Sequence, residues 1–211
     1  WISCAGGWWL LTSLTLAYMS RHVTDESLYA LSKSGCGVSL TTLNLSWLKG
    51  GVTDDGFRAL ADGGCGKALT SLSLCGLGRD VTDGGVCALA GAGCGARLQS
   101  LVLSCLGGGI TDCSLRALAE AGCGNHLSEL TLSGLQKGVT DEGIAALAGA
   151  GCGASLTSLN LSRVEVSDEG LCSLANAGCG MNLTSMTFRG MKEFTDHGFT
   201  VLANAGCGRV L

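Results

Sequence analysis

From Leu11 onward the apolar positions fall into two alternating patterns that recur seven times. One is a short run such as LTSLNLS at Leu156 to Ser162, apolar at Leu156, Leu159 and Leu161. Its closing alternation, Leu159-Asn160-Leu161, is the period-two signature of a strand with one face inward. Equivalent runs start at Leu11, Leu40, Leu69, Leu98, Leu127 and Leu183, the last with Met186 and Phe188 in place of leucine. Seven short parallel strands are predicted.

The other pattern is helical and carries its own start signal. Thr140 suits an N-cap, Asp141 and Glu142 suit the positive end of the helix dipole, and Val139 with Ile144 has the spacing of a hydrophobic staple. Ile144, Leu147 and Ala148 then form the buried stripe. The same set returns as Val23, Thr24, Asp25, Leu28, as Val52, Thr53, Asp54, Phe57, and onward to Phe194, Thr195, Asp196, Phe199. Helices are predicted near 24–34, 53–63, 82–92, 111–121, 140–150, 167–177 and 195–205.

A Gly-Cys-Gly triplet closes every unit, at Cys36, Cys65, Cys94, Cys123, Cys152, Cys179 and Cys207, in steps of 29, 29, 29, 29, 27 and 28 residues. Gly151 supplies the left-handed residue that ends the helix, and Cys152 tucks in before the next strand. Strand, crossover helix and parallel strand at this period build an α/β right-handed solenoid, with the parallel sheet concave and the helices convex. The chain reads as one solenoid domain, 1–211, with an irregular Trp-rich segment at 1–10 and repeats over 11–211.

The pattern LxxLxL, then (V/I)TDxGLxxLA, then GCGxxL resembles the cysteine-containing leucine-rich repeats of ribonuclease-inhibitor-like and F-box-type arrays. The resemblance runs from Leu11 to Leu211. The chain departs from that family in placing Leu48, Leu77, Leu106 and Leu135 where a second cysteine commonly follows the strand. Residues 1–10 do not read as an F-box segment, so the resemblance is not expected to carry over a ubiquitin-ligase role.

Composition narrows the function. The formal net charge is −4 and only 14% of residues are charged, which argues against a nucleic-acid surface. Acidic residues interrupt every apolar stretch, so no membrane insertion is expected. Thirteen cysteines include seven at one repeat position, which favours a buried column of reduced thiols over a disulfide framework, and leans towards an intracellular location. No CxxC or Cys/His cluster suggests a metal, and nothing suggests a cofactor. His22, His126 and His197 occupy unrelated repeat positions, and Gly107-Gly108-Gly109 lacks the Lys and Ser/Thr of a phosphate loop, so no catalytic residue is assigned.

What remains is surface. The outward strand positions carry mostly small hydroxyls, and the concave binding candidates are Thr15, Asn44, Ser73, Thr131, Asn160, Thr187 and Arg189, with Tyr18 and Trp47 as aromatic anchors one step past their strands. The leading expectation is a non-enzymatic scaffold that binds a protein partner. The alternative is a structural protein binding copies of itself, stacking head-to-tail into a filament through Trp1, Trp8, Trp9 at one end and Val210, Leu211 at the other. Asn44, Asn160 and Asn182 head glycosylation sequons, and in a secreted chain those at Asn44 and Asn160 would place glycan on the same face. Finally, Asp25, Asp54, Asp83, Asp112, Asp141, Asp168 and Asp196 form a ladder that helix capping explains first, and a cation or a basic partner second.

Overall fold

In a computed structural model, residues 11–19, 22–48 and 50–206 are described, with every side chain among them except Gln136 and Lys137. The strands are β1 (Ser13–Thr15), β2 (Thr42–Asn44), β3 (Ser71–Cys75), β4 (Ser100–Ser104), β5 (Glu129–Ser133), β6 (Gln136–Thr140), β7 (Ser158–Asn160), β8 (Val164–Glu165) and β9 (Ser185–Thr187). The helices are α1 (Asp25–Lys33), α2 (Asp54–Asp62), α3 (Asp83–Gly91), α4 (Asp112–Glu120), α5 (Asp141–Gly149), α6 (Asp168–Asn176) and α7 (Asp196–Asn204). Each helix falls within its predicted range, shortened by the cap residue at either end.

Seven strands form one parallel sheet in the order β1-β2-β3-β4-β5-β7-β9, in strict register, so that Leu43, Leu72, Leu101, Leu130 and Leu159 stack as one inward column. The architecture is the expected leucine-rich-repeat solenoid. Its core is continuous from Val23 to Leu202 and includes Cys36, Cys65, Cys94, Cys123, Cys152 and Cys179, all at 1% exposure or less. Each fully buried leucine contributes about 1.5–3 kcal/mol of transfer free energy, offset by the entropy of ordering the chain.

A second, two-stranded parallel sheet, β6 with β8, has no counterpart in the sequence pattern. The sixth unit is the shortest, at 27 residues, and its strand-to-helix loop pairs with the loop before it, Gln136 with Val164 and Thr140 with Glu165. Val164 and Val166 are buried there.

The triplet's two glycines have separate duties. Gly151 sits at φ 89°, in the left-handed region, where it ends α5. Gly153 presses against the following unit, where an added Cβ would lie 2.6 Å from the Ala177 carbonyl oxygen. Its smallness sets how closely the repeats stack.

Candidate functional site

The aspartate ladder is structural, and in a way the sequence did not disclose. The Asp at the first position of each helix from α1 to α6 turns its carboxylate away from its own helix and onto the N-cap of the next unit. Asp25, Asp54, Asp83, Asp112, Asp141 and Asp168 each accept the backbone N–H of Thr53, Thr82, Thr111, Thr140, Ser167 and Thr195 in turn, at 2.8–3.0 Å. The other carboxylate oxygen accepts the same residue's hydroxyl at 2.5–2.8 Å. From Thr53 onward that hydroxyl also caps its own helix, as Thr140 Oγ1 does for Glu142 N–H at 3.2 Å. The capping electrostatics expected for this row is therefore the smaller part of its role. The larger part is an inter-repeat clamp, which occupies the oxygens a cation or a basic partner would need.

The clamp explains the glycine in TDxG. Gly56 and Gly170 donate their backbone N–H to Asp25 and Asp141 at 3.1 and 3.0 Å, and a Cβ at Gly143 would fall on the Asp112 carboxylate. In α4 the position is Ser114, buried, whose hydroxyl donates to Asp83 instead. Two hydrogen bonds from Thr195 hold the Asp168 carboxyl below its ordinary range, with His197 adding a smaller pull in the same direction.

On the concave side, Thr15 and Arg189 are exposed, while Asn44, Ser73, Thr131, Asn160 and Thr187 are half-buried. Part of this polar face is satisfied internally. Asn44 Oδ1 accepts Ser46 N–H at 3.0 Å, and Asn160 Oδ1 accepts both Ser162 N–H and Ser162 Oγ at 3.1 and 2.7 Å. Of the sequon asparagines, Asn182 donates Nδ2 to the Ala154 carbonyl at 2.9 Å. Just before the strands, Thr41, Thr70, Thr157 and Thr184 hydroxyls bond the carbonyl of the preceding unit at 2.9–3.1 Å. Charge on the central strands is confined to Glu129, so a partner would cover this face with little ionic desolvation.

The position just after the strand is left-handed in all seven units: Tyr18, Trp47, Gly76, Cys105, Gly134, Arg163 and Gly190 have φ of 53–68°. Glycine takes this conformation freely, whereas a side-chain-bearing residue pays roughly 1–2 kcal/mol. Tyr18, Trp47, Cys105 and Arg163 thus hold their side chains on this margin against a backbone cost. Tyr18 and Trp47 rings stack at 6.0 Å between centroids and 9° between planes, with Tyr18 76% exposed. Trp47 in turn lies over Gly76, where an added Cβ would meet the ring at 2.5 Å. The two anchors expected separately are one stacked surface.

The eleven described cysteines are free, and Cys105 and Cys113 are exposed. Burial pushes Cys65 and Cys123 up to about 12 and raises Cys94 and Cys152 further. His22, His126 and His197 are exposed in separate units. Among the described residues no group of three His, Cys, Asp or Glu side chains is placed to hold a metal, and no helix is long and apolar enough to cross a membrane. Trp1, Trp8, Trp9, Val210 and Leu211, the expected assembly ends, lie outside the described residues.

No family model matches the chain, and no curated protein matches it in sequence. Among solved structures, a chain of the yeast Rad7 and Elc1 complex is similar over 88% of this chain, at TM-score 0.50 and 19% identity. This chain spans 54% of that one, about half its length. Leiomodin-1 actin-binding site 2 overlaps 72% of this chain and 86% of its own at TM-score 0.45 and 12% identity, too loosely to say more. The first likeness shows a shared solenoid fold.

Proposed function

We propose that this chain is a non-enzymatic leucine-rich-repeat scaffold, of the cysteine-containing type, that binds a protein partner along its concave face. The observation that carries the reading is the Tyr18–Trp47 stack, held at left-handed backbone positions with Tyr18 exposed and Trp47 half-buried beside a nearly uncharged hydroxyl surface. Stacked, rigid aromatics dominate protein interfaces because they bury large area at small entropic cost. The fold shared with a chain from a protein–protein complex supports the same reading. The periodic Thr, Asp, Gly and Cys are absorbed by clamping, turning and packing, which leaves no repeated catalytic set.

The test is recovery of a partner from native extract on immobilised chain, quantified against Tyr18→Ala and Trp47→Ala. Loss of about tenfold or more is expected for an anchor worth at least ~1.4 kcal/mol. Unchanged recovery on both variants would reject the concave anchor.

A further inference from the structure

Of three clefts among the described residues, one carries charge of a single sign. It opens at the strand-to-helix edge across the third to sixth units, encloses about 570 Å³, and is bordered by Arg79 at one end and Arg163 at the other. Between them lie Cys105, Gly107, Gly108 and Thr111, and no acidic side chain lines it. The cleft thus presents two positive charges in a chain whose formal net charge is −4. The neighbouring cleft balances Arg163 and Lys192 with Glu165 and Glu193, and the one on the helical side balances Lys33 and Arg58 with Asp55 and Asp62. Among the described residues neither Arg79 nor Arg163 has an ion-pair partner, and the N–H groups of Gly107 and Gly108 meet no acceptor. The Asp83 carboxylate is already occupied by Thr111 N–H, Thr111 Oγ1 and Ser114 Oγ, and Asp80, beside Arg79 in sequence, neither lines this cleft nor forms an ion pair with that arginine. Arg163, moreover, is one of the residues held in the left-handed conformation, at φ 56°.

Spacing selects the ligand. Three strand intervals of about 4.8 Å separate the units that carry the two arginines, roughly 14 Å along the stack, with Arg79 three residues further along its loop than the counterpart of Arg163. Both side chains lean the same way, Arg79 towards Gly107 and Arg163 over Gly190, so they do not converge on one small anion. An extended peptide rises about 3.3 Å per residue, so acidic side chains four residues apart stand roughly 13 Å from each other.

We infer that this edge cleft docks an extended acidic segment of a protein partner, its two carboxylates on Arg79 and Arg163 and its backbone or side-chain oxygens on the Gly107 and Gly108 N–H groups. This rests on the scaffold reading above and adds to it a second contact with defined chemistry.

The experiment is an amide-resolved NMR titration of the full chain with a capped Gly/Ser peptide carrying two glutamates four residues apart. Parallel titrations use the same peptide with adjacent glutamates, with lysines in their place, and inorganic phosphate alone. Saturable shifts at Gly107 and Gly108 that need the spaced glutamates, fall with added salt and weaken about tenfold in Arg79→Gln/Arg163→Gln support the inference. Equal shifts with lysine peptide, adjacent glutamates or phosphate, or binding that survives the double variant, overturn it. Tyr18→Ala separates the two readings, because it leaves this titration unchanged. Peptide silence with Tyr18-dependent capture intact removes only the acidic dock, whereas peptide binding with Tyr18-independent capture removes only the concave anchor.

Discussion

Asp112 and Thr140 are 28 residues apart in sequence and joined twice in space: the Asp112 carboxylate accepts Thr140 N–H at 2.8 Å and Thr140 Oγ1 at 2.7 Å. This pairing, repeated along the solenoid, converts a local helix signal into a bond between units. Repeat proteins owe their cooperativity to such nearest-neighbour contacts.

Asp112→Asn should therefore lower stability by roughly 1.5–3 kcal/mol, the range for hydrogen bonds to a charged group. Asp55→Asn, which disturbs only an exposed ion pair with Arg58, should stay within about 0.5 kcal/mol. Urea unfolding of both variants makes the comparison.

Two glycines of one helix should respond in opposite directions. Gly143→Ala sets a methyl group against the Asp112 carboxylate without the hydroxyl that Ser114 offers Asp83 at the same repeat position, and so strains the clamp, whereas at Gly149 an added Cβ meets nothing within 4 Å. Gly149→Ala should stabilise by about 0.4–1 kcal/mol, and Gly143→Ala should destabilise by more than that. Equal effects in thermal unfolding would contradict the geometry.

The acid limb follows from Asp168. Its carboxyl is held low by Thr195, so the native state binds its proton less readily than the unfolded chain does. The stabilisation is present above the ordinary carboxylate value near 3.9 and is lost as pH falls through the lowered one. Thr195→Val should flatten the pH dependence of stability below about pH 4.

The alkaline limb follows from the thiols. Cys65 and Cys123 move from about 9 to about 12 because burial disfavours the thiolate. Below the ordinary thiol value the contribution is complete; as pH climbs from there through the raised value, the unfolded chain ionises first and stability drains away. In native protein near neutral pH, alkylation should strike Cys105 and Cys113 early and spare Cys36, Cys65, Cys94, Cys123, Cys152 and Cys179 until unfolding.

The fold was legible because its signals are local and repeated: Leu159-Asn160-Leu161 declares a strand wherever it sits, and Thr140-Asp141 declares a helix start. The clamp was not legible, since Asp112 satisfies the ordinary rules for a helix N-terminus and nothing in its neighbourhood reports where its carboxylate turns. The same holds for Gly143, whose constraint comes from a residue in another unit. Tyr18 and Trp47 could be picked out as departures from the template, but their stacking needed the register of β1 on β2. The Arg79–Arg163 cleft was hidden for a simpler reason, because its two charges stand in units three apart.

The most direct measurement of the central claim pairs partner capture with thermal unfolding for Tyr18→Ala and Asp112→Asn. If departures from the template bind and the template only builds, Tyr18→Ala loses capture about tenfold with its melting temperature within about 2 °C of the parent. Asp112→Asn should melt lower by several degrees yet capture normally at temperatures where it stays folded. Capture untouched by Tyr18→Ala but abolished by Asp112→Asn in folded protein would contradict the account.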